Sequence, residues 1–89
     1  MPNWREPGFQ WDDGNIDHIF QRHGVDPHEV EEVFFFDPVV RRDGDVYRVY
    51  GRTFGGKYLA LVCEWRGDQL RVFSASPMND QEKRRCDRR

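Results

Sequence analysis

The spacing of apolar positions changes once along the chain, and the change divides it into a helical and a sheet-forming part. Between residues 12 and 24, Ile16, Ile19, Phe20 and His23 recur on one helical face. This predicts a helix capped by Asp12 or Asp13 and running to about His23, where Gly24 supplies a left-handed stop. The short FQW preceding it (9–11) reads as extended. A second helix carries a fuller start signal. Asp26 is the N-cap, Pro27 takes the first helical position, and Glu29 completes a capping box. Val25 and Val30 are spaced for a hydrophobic staple across that cap. The helix continues through Val33 and Phe34 and stops before Asp37-Pro38, because a residue preceding proline avoids helical dihedrals.

From Val39 onward the period is two. VVRRD, DVYRVYGRT, KYLALVCEWR and QLRVFSAS are separated by Asp-Gly-Asp, Phe-Gly-Gly and Gly-Asp, all turn chemistry. They predict a four-stranded antiparallel meander. Pro77 ends the last strand, and Asn79 with Glu82 caps a short basic C-terminal helix, whose final residues, about 84–89, are expected to fray. The expected fold is α+β: two N-terminal helices packed on a four-stranded antiparallel sheet, with a short C-terminal helix, in one domain over residues 1–89.

Alternation assigns side chains to faces. Arg48, Tyr50 and Arg52 share one side of their strand, with Tyr47 and Val49 on the other. On the next strand Lys57, Leu59, Leu61, Cys63 and Trp65 oppose Tyr58, Ala60, Val62 and Glu64. On the last, Arg71, Phe73 and Ala75 oppose Leu70, Val72, Ser74 and Ser76. One face must pack on the helices, so the other displays Arg48, Arg52 and Arg71 beside aromatic rings. Guanidinium forks that grip phosphates, next to rings that stack on bases, suit single-stranded RNA. A charged solvent face that resists aggregation is the simpler reading of the same pattern.

Composition refines this. The chain is 37% apolar and 34% charged, which indicates a folded domain with a polar surface. Its 13 aromatic residues exceed what so small a core can hide. An exposed patch around Trp65, Phe34 or Phe35 is therefore expected, and with it an interface, either in a homodimer or with another protein. The net charge of −2 conceals a division: nine acids against two bases up to Asp37 leave −7, and twelve bases against seven acids beyond it leave +5. No basic start leads into an apolar run, and VFFF and YLALVC are too short to span a bilayer, so a cytoplasmic chain without membrane association is expected. Cys63 and Cys86 read as reduced thiols, Cys63 buried, and without a CxxC pair or matching histidines no metal site is expected. Neither a phosphate loop nor a nucleophile elbow is present, so no cofactor and no small-ligand chemistry is indicated.

The stretch HIFQRHGV (18–25) raises a separate question. His18 and His23 lie five residues apart, roughly 140° around a helix, which is a poor geometry for sharing a metal. His23 closes the first helix beside the cap of the second. It is either an imidazole that holds the interhelix turn or a general acid or base.

Taken in order, FQWDDGNIDHIFQRHGV, EVEEVFF, GRTFGGKYLALV, and LRVFSA followed by Glu82 and a basic run resemble the BrnT family of bacterial type II toxin–antitoxin ribonucleases, from Phe9 to about Arg85. The resemblance implies a RelE-like compact fold, metal-independent cleavage of RNA, and neutralisation by an antitoxin that also binds DNA. The mechanism would be attack by a 2′-hydroxyl on the adjacent phosphate. His23, His18 and Glu82 are then the candidate proton-transfer groups, and Arg52 and Arg71 the candidates for stabilising phosphoryl charge. Arg48 and Lys57 would join those two arginines in binding RNA phosphates. Two departures stand out. Family members usually carry an arginine where this chain has Ser76, and their last helix often reads Glu-Arg and ends near a tyrosine, where this chain has Glu82-Lys83 and Cys86. Both favour an alternative, a non-catalytic binding module that keeps only the partner surface.

Overall fold

A computed structural model describes residues 3–88 of the chain. In chain order it contains β1 (Gly8–Phe9), α1 (Asp13–His23), α2 (Pro27–Val33), a 3₁₀ turn (Phe34–Phe36), β2 (Val39–Asp43), β3 (Val46–Arg52), β4 (Tyr58–Arg66), β5 (Gln69–Pro77) and α3 (Asp80–Arg88). Arg89, part of the terminal run expected to fray, lies outside the described residues. No helix among the described residues is long and apolar enough to cross a membrane.

The fold is α+β, but the sheet has five strands in the order β1-β5-β4-β3-β2. The expected antiparallel meander is present as β2 to β5. The added strand β1 runs parallel to β5, pairing Gly8 with Gln69 and Phe9 with Leu70, so the sheet is mixed. Two residues are too few to show a period, which is why alternation did not count this strand.

Local chemistry explains the helices. Asp12 is the cap of α1: its Oδ1 accepts from the Asn15 amide at 3.1 Å, and the Asn15 Oδ1 accepts from the Asp12 amide at 2.8 Å. Asn15 is buried, and its Nδ2 donates to the carbonyls of Gln10 and Val72, tying the cap to the sheet. Gly24 ends α1 with φ 66°, a left-handed conformation that glycine adopts without penalty. The capping box of α2 forms as its sequence predicts. That helix ends at Val33, one residue early, and the three phenylalanines that follow form the tighter turn.

The core lies on one face of the sheet. Val49, Leu59, Leu61, Cys63, Leu70, Val72 and Ala75 are buried there against Ile19, Val25, Val30, Val33 and Phe34. Ala75 corrects the strict alternation that grouped it with Arg71. The β4–β5 register slips between Val62 and Cys63, so that Val62 pairs with Ser74 while Cys63 pairs with Val72. Phe73 is the extra residue, and one extra residue inverts the side assignment of everything beyond it. Ser74 and Ser76 therefore share the face of Arg71.

The aromatic surplus is also distributed differently. Phe34 is buried, which corrects the expectation there, and Trp65 is half-buried with its ring 4.9 Å from Trp4. Phe35 is exposed, as are Phe36 and Phe54. On the second face of the sheet α3 covers one end, where the Cys86 thiol donates to the Tyr50 carbonyl at 3.8 Å.

The two cysteines differ in reactivity. Both are free thiols, and burial pushes the Cys63 thiol up to about 12. Since the thiolate is the nucleophile, Cys63 stays inert at ordinary pH. Labelling of the native chain with a thiol reagent at pH 8 is expected to modify at most Cys86, and labelling in denaturant to modify both. Rapid native labelling of two thiols would contradict the buried placement of Cys63.

Candidate functional site

His23, at the end of α1 and exposed, stands between two hollows. In the first, of about 340 Å³, it meets Lys57 from the loop before β4, Tyr58 from β4, Pro77 and Met78 after β5, and Lys83 from α3. The Met78 amide donates to the Tyr58 carbonyl at 3.0 Å, which fixes the start of α3 against β4. In the second, of about 210 Å³, His23 meets His18 and Arg22 from its own helix and Ser74 and Ser76 from β5.

Tyr58 joins the first hollow to a neighbouring one lined by Arg52 and Asp87. Its hydroxyl donates to the Asp87 carboxylate, 3.0 and 3.1 Å from the two oxygens. The Arg52 guanidinium lies 5.6 Å from the ring centroid and the Lys83 ammonium 5.7 Å from it, both within cation–π range. Lys57 is engaged by Glu29, with Nζ 2.8 Å from Oε2. Three sequence candidates, His23, Lys57 and Arg52, thus gather around one tyrosine, with His18 in the adjoining hollow. Cationic groups from β3, the β3–β4 loop and α3 make this end of the molecule a fit for a polyanion.

Three further candidates lie elsewhere. The Arg71 Nη1 donates to Asp12 Oδ2 at 2.7 Å and to Gln10 Oε1 at 3.2 Å, and its side chain is only 19% exposed. The hydrogen bond from Arg71 is the main reason the Asp12 carboxyl is held below its ordinary range, with the Asn15 amide contributing. Arg48 pairs with Asp43 at 2.7 Å. It stands four residues from Arg52 along β3, roughly 13 Å away at strand spacing. Glu82 closes the capping box of α3. Its Oε1 accepts from the Asn79 amide at 2.9 Å, while Asn79 Oδ1 accepts from the Glu82 amide at 2.8 Å. It lines a separate small hollow with Arg41, Tyr50 and Arg85.

Tyr58, Lys83 and Asp87 are site residues that the sequence reading missed. Lys83 stands where the resemblance places an arginine, and that was a usable signal. The Tyr58–Asp87 bond spans 29 residues and left no trace in the pattern. Among the described residues no group of three or more His, Cys, Asp or Glu side chains is placed to hold a metal ion.

The family model for the ribonuclease toxin BrnT of type II toxin–antitoxin systems matches residues 11–82. That span includes His18, His23, Arg52, Lys57, Tyr58, Arg71 and Glu82 and stops one residue before Lys83. The 1.1 Å crystal structure of the Brucella abortus ribonuclease toxin BrnT superposes with a TM-score of 0.69, covering 83% of this chain and 99% of that one at 21% identity. At that identity the likeness speaks for the fold. No curated protein matches the chain. The family model, covering most of the length, and the shared fold lead to one conclusion: the chain belongs to the BrnT family of ribonuclease toxins of type II toxin–antitoxin systems.

Proposed function

We propose that this chain is a toxin that cleaves single-stranded RNA without a metal ion, at the two hollows flanking His23. The observation that carries this reading is the convergence of His23, Lys57, Tyr58 and Lys83 on one cleft from α1, the β3–β4 loop, β4 and α3. In the reaction the 2′-hydroxyl oxygen bonds to the adjacent phosphorus and the bond to the 5′-oxygen breaks. The products are a 2′,3′-cyclic phosphate and a free 5′-hydroxyl. One group removes the 2′ proton and another supplies a proton to the leaving oxygen. His23 and His18, which line the same hollow, take these two roles. Arg52 and Lys83, supported by Lys57, meet the non-bridging oxygens, where charge develops in the transition state. Arg71 holds the cap of α1 through Asp12, and Glu82 serves the cap of α3. Neither reaches the phosphate in this reading.

The second reading, a binding module without turnover, is favoured by Ser76. It lines the His18–His23 hollow at a position where, by the resemblance, an arginine is usual. One experiment addresses both. Purified chain is incubated with a single-stranded RNA, with and without EDTA, and the product ends are analysed. The expected result is cleavage that survives EDTA and leaves cyclic phosphate ends. Loss in EDTA with recovery on adding magnesium or zinc would overturn the metal-free mechanism. An inactive chain that binds its antitoxin would favour the binding module. Ser76→Arg is expected to raise cleavage about tenfold, the effect of one charge-assisted hydrogen bond of about 1.5 kcal/mol.

A further inference from the structure

Phe35 is 74% exposed, Phe54 60% and Phe36 49%. The three belong to two segments, the turn after α2 and the β3–β4 loop, yet their rings touch, with Phe54 5.5 Å from Phe35 and 5.4 Å from Phe36. The Phe54 amide donates to Glu32 Oε1 at 3.0 Å, so the loop is pinned to α2 and the cluster is held in place before any partner arrives. Beside it a hollow of about 420 Å³ is lined by Trp4, Phe34, Phe35, Pro38 and Val40, with Arg5 and Glu6 at its rim. Single exposed phenylalanines need no explanation. A contiguous aromatic cluster next to an apolar groove marks an interaction site.

Charge selects the occupant. Glu6 and Asp37 line the groove beside Arg5. Glu32 lies against Phe54, and Glu29 offsets Lys57 nearby. A polyanion such as RNA is repelled here, whereas a protein segment combining bulky apolar side chains with Lys or Arg is attracted. We propose that the Phe35–Phe36–Phe54 cluster and the groove beside it seat the antitoxin, through such an apolar and basic segment. The inference rests on the toxin reading above and adds a mode of neutralisation. Phe36 and Arg52 line one hollow, and Arg52 lies two residues before Phe54. A partner seated on the cluster therefore covers Arg52 and clamps the 53–57 loop, while the His23 cleft stays open. The antitoxin removes the phosphate grip and does not plug the cleft.

The test uses the full chain and, as candidate antitoxin, the protein encoded by the adjoining gene, with affinity measured by titration calorimetry. Phe35→Glu and Phe54→Glu are each expected to weaken binding at least about thirtyfold, as loss of a central aromatic anchor does. RNA cleavage by the free chain should be unchanged. Both positions are exposed, and the milder Phe35→Ala with Phe54→Ala, checked by thermal melting, guards against misfolding. Wild-type affinity in these variants overturns the docking surface and leaves the toxin reading intact. If the unaltered chain neither binds that antitoxin nor arrests growth, the toxin reading falls and the proposal with it. If Phe35→Glu instead dissociates a homodimer while antitoxin binding persists, the patch belongs to a second copy. Loss of RNA binding in the glutamate variants would make the cluster a base-stacking platform, which also overturns the proposal.

Discussion

Arg52→Ala is expected to lower RNA cleavage by about a hundredfold or more and to leave the melting temperature unchanged, the cost of removing one preorganised donor from a transition state. Arg71→Ala is expected to lower the melting temperature and to leave cleavage largely unchanged. The two arginines look equivalent in the sequence, both on strands and both on the face away from the core. Arg52 is exposed, and its guanidinium lies over Tyr58 at the cationic end of the sheet. Arg71 is mostly covered and spends its hydrogen bonds on Asp12 and Gln10, where it holds the cap of α1 against β5. Arg52→Lys is expected to restore activity only in part, because an ammonium lacks the planar fork. The Arg71 effect carries a pH signature. Its partner Asp12 has a carboxyl lowered from 3.8, so the stabilisation is fully present above about that pH and is lost as pH falls through the lower folded-state value. Wild type and Arg71→Ala should therefore differ in melting temperature by a few degrees at pH 7 and converge well below pH 3.8. Melting curves at the two pH values, beside a cleavage assay, check both halves. An Arg71→Ala variant that melts normally but no longer cleaves would move the phosphate site to β5.

Gly51→Ala is expected to produce the largest loss of stability for the smallest change. Gly51 lies in β3 opposite Leu59 and is buried where the end of α2 crosses the sheet. A methyl group there would sit 2.7 Å from Val33 Cγ1 and 3.2 Å from Pro38 Cβ. Val33 is fully buried and cannot swing away. Overpacking of this kind costs about 1–3 kcal/mol. In a domain of this size each kcal/mol lowers the melting temperature by roughly 4–8 °C. Val33→Ala also destabilises, by opening a cavity, but combined with Gly51→Ala it removes the clash. The double variant should therefore be more stable than the sum of the single effects allows. Strict additivity in denaturant titrations would mean that Gly51 is not where helix and sheet meet most closely.

The chain by itself determined everything that depends on near neighbours. Asp26-Pro27 with Glu29, the stop at Gly24, and the turns around Gly44 and Gly67 each act within about one turn of backbone, so α1, α2 and the four antiparallel strands could be read directly. The candidate imidazoles were legible for the same reason, since His18 and His23 share one short helix. Tertiary structure alone decided the rest. β1 exists only because β5 offers it an edge. One extra residue at Phe73, visible only against the partner strand, sends Ala75 inward and brings Ser74 and Ser76 to the face of Arg71. Arg71 finds Asp12 across 59 residues of sequence, and Tyr58 finds Asp87 across 29. A guanidinium or a phenol accepts many partners with similar energy, and which one it meets is set by which strands and helices the fold lays side by side.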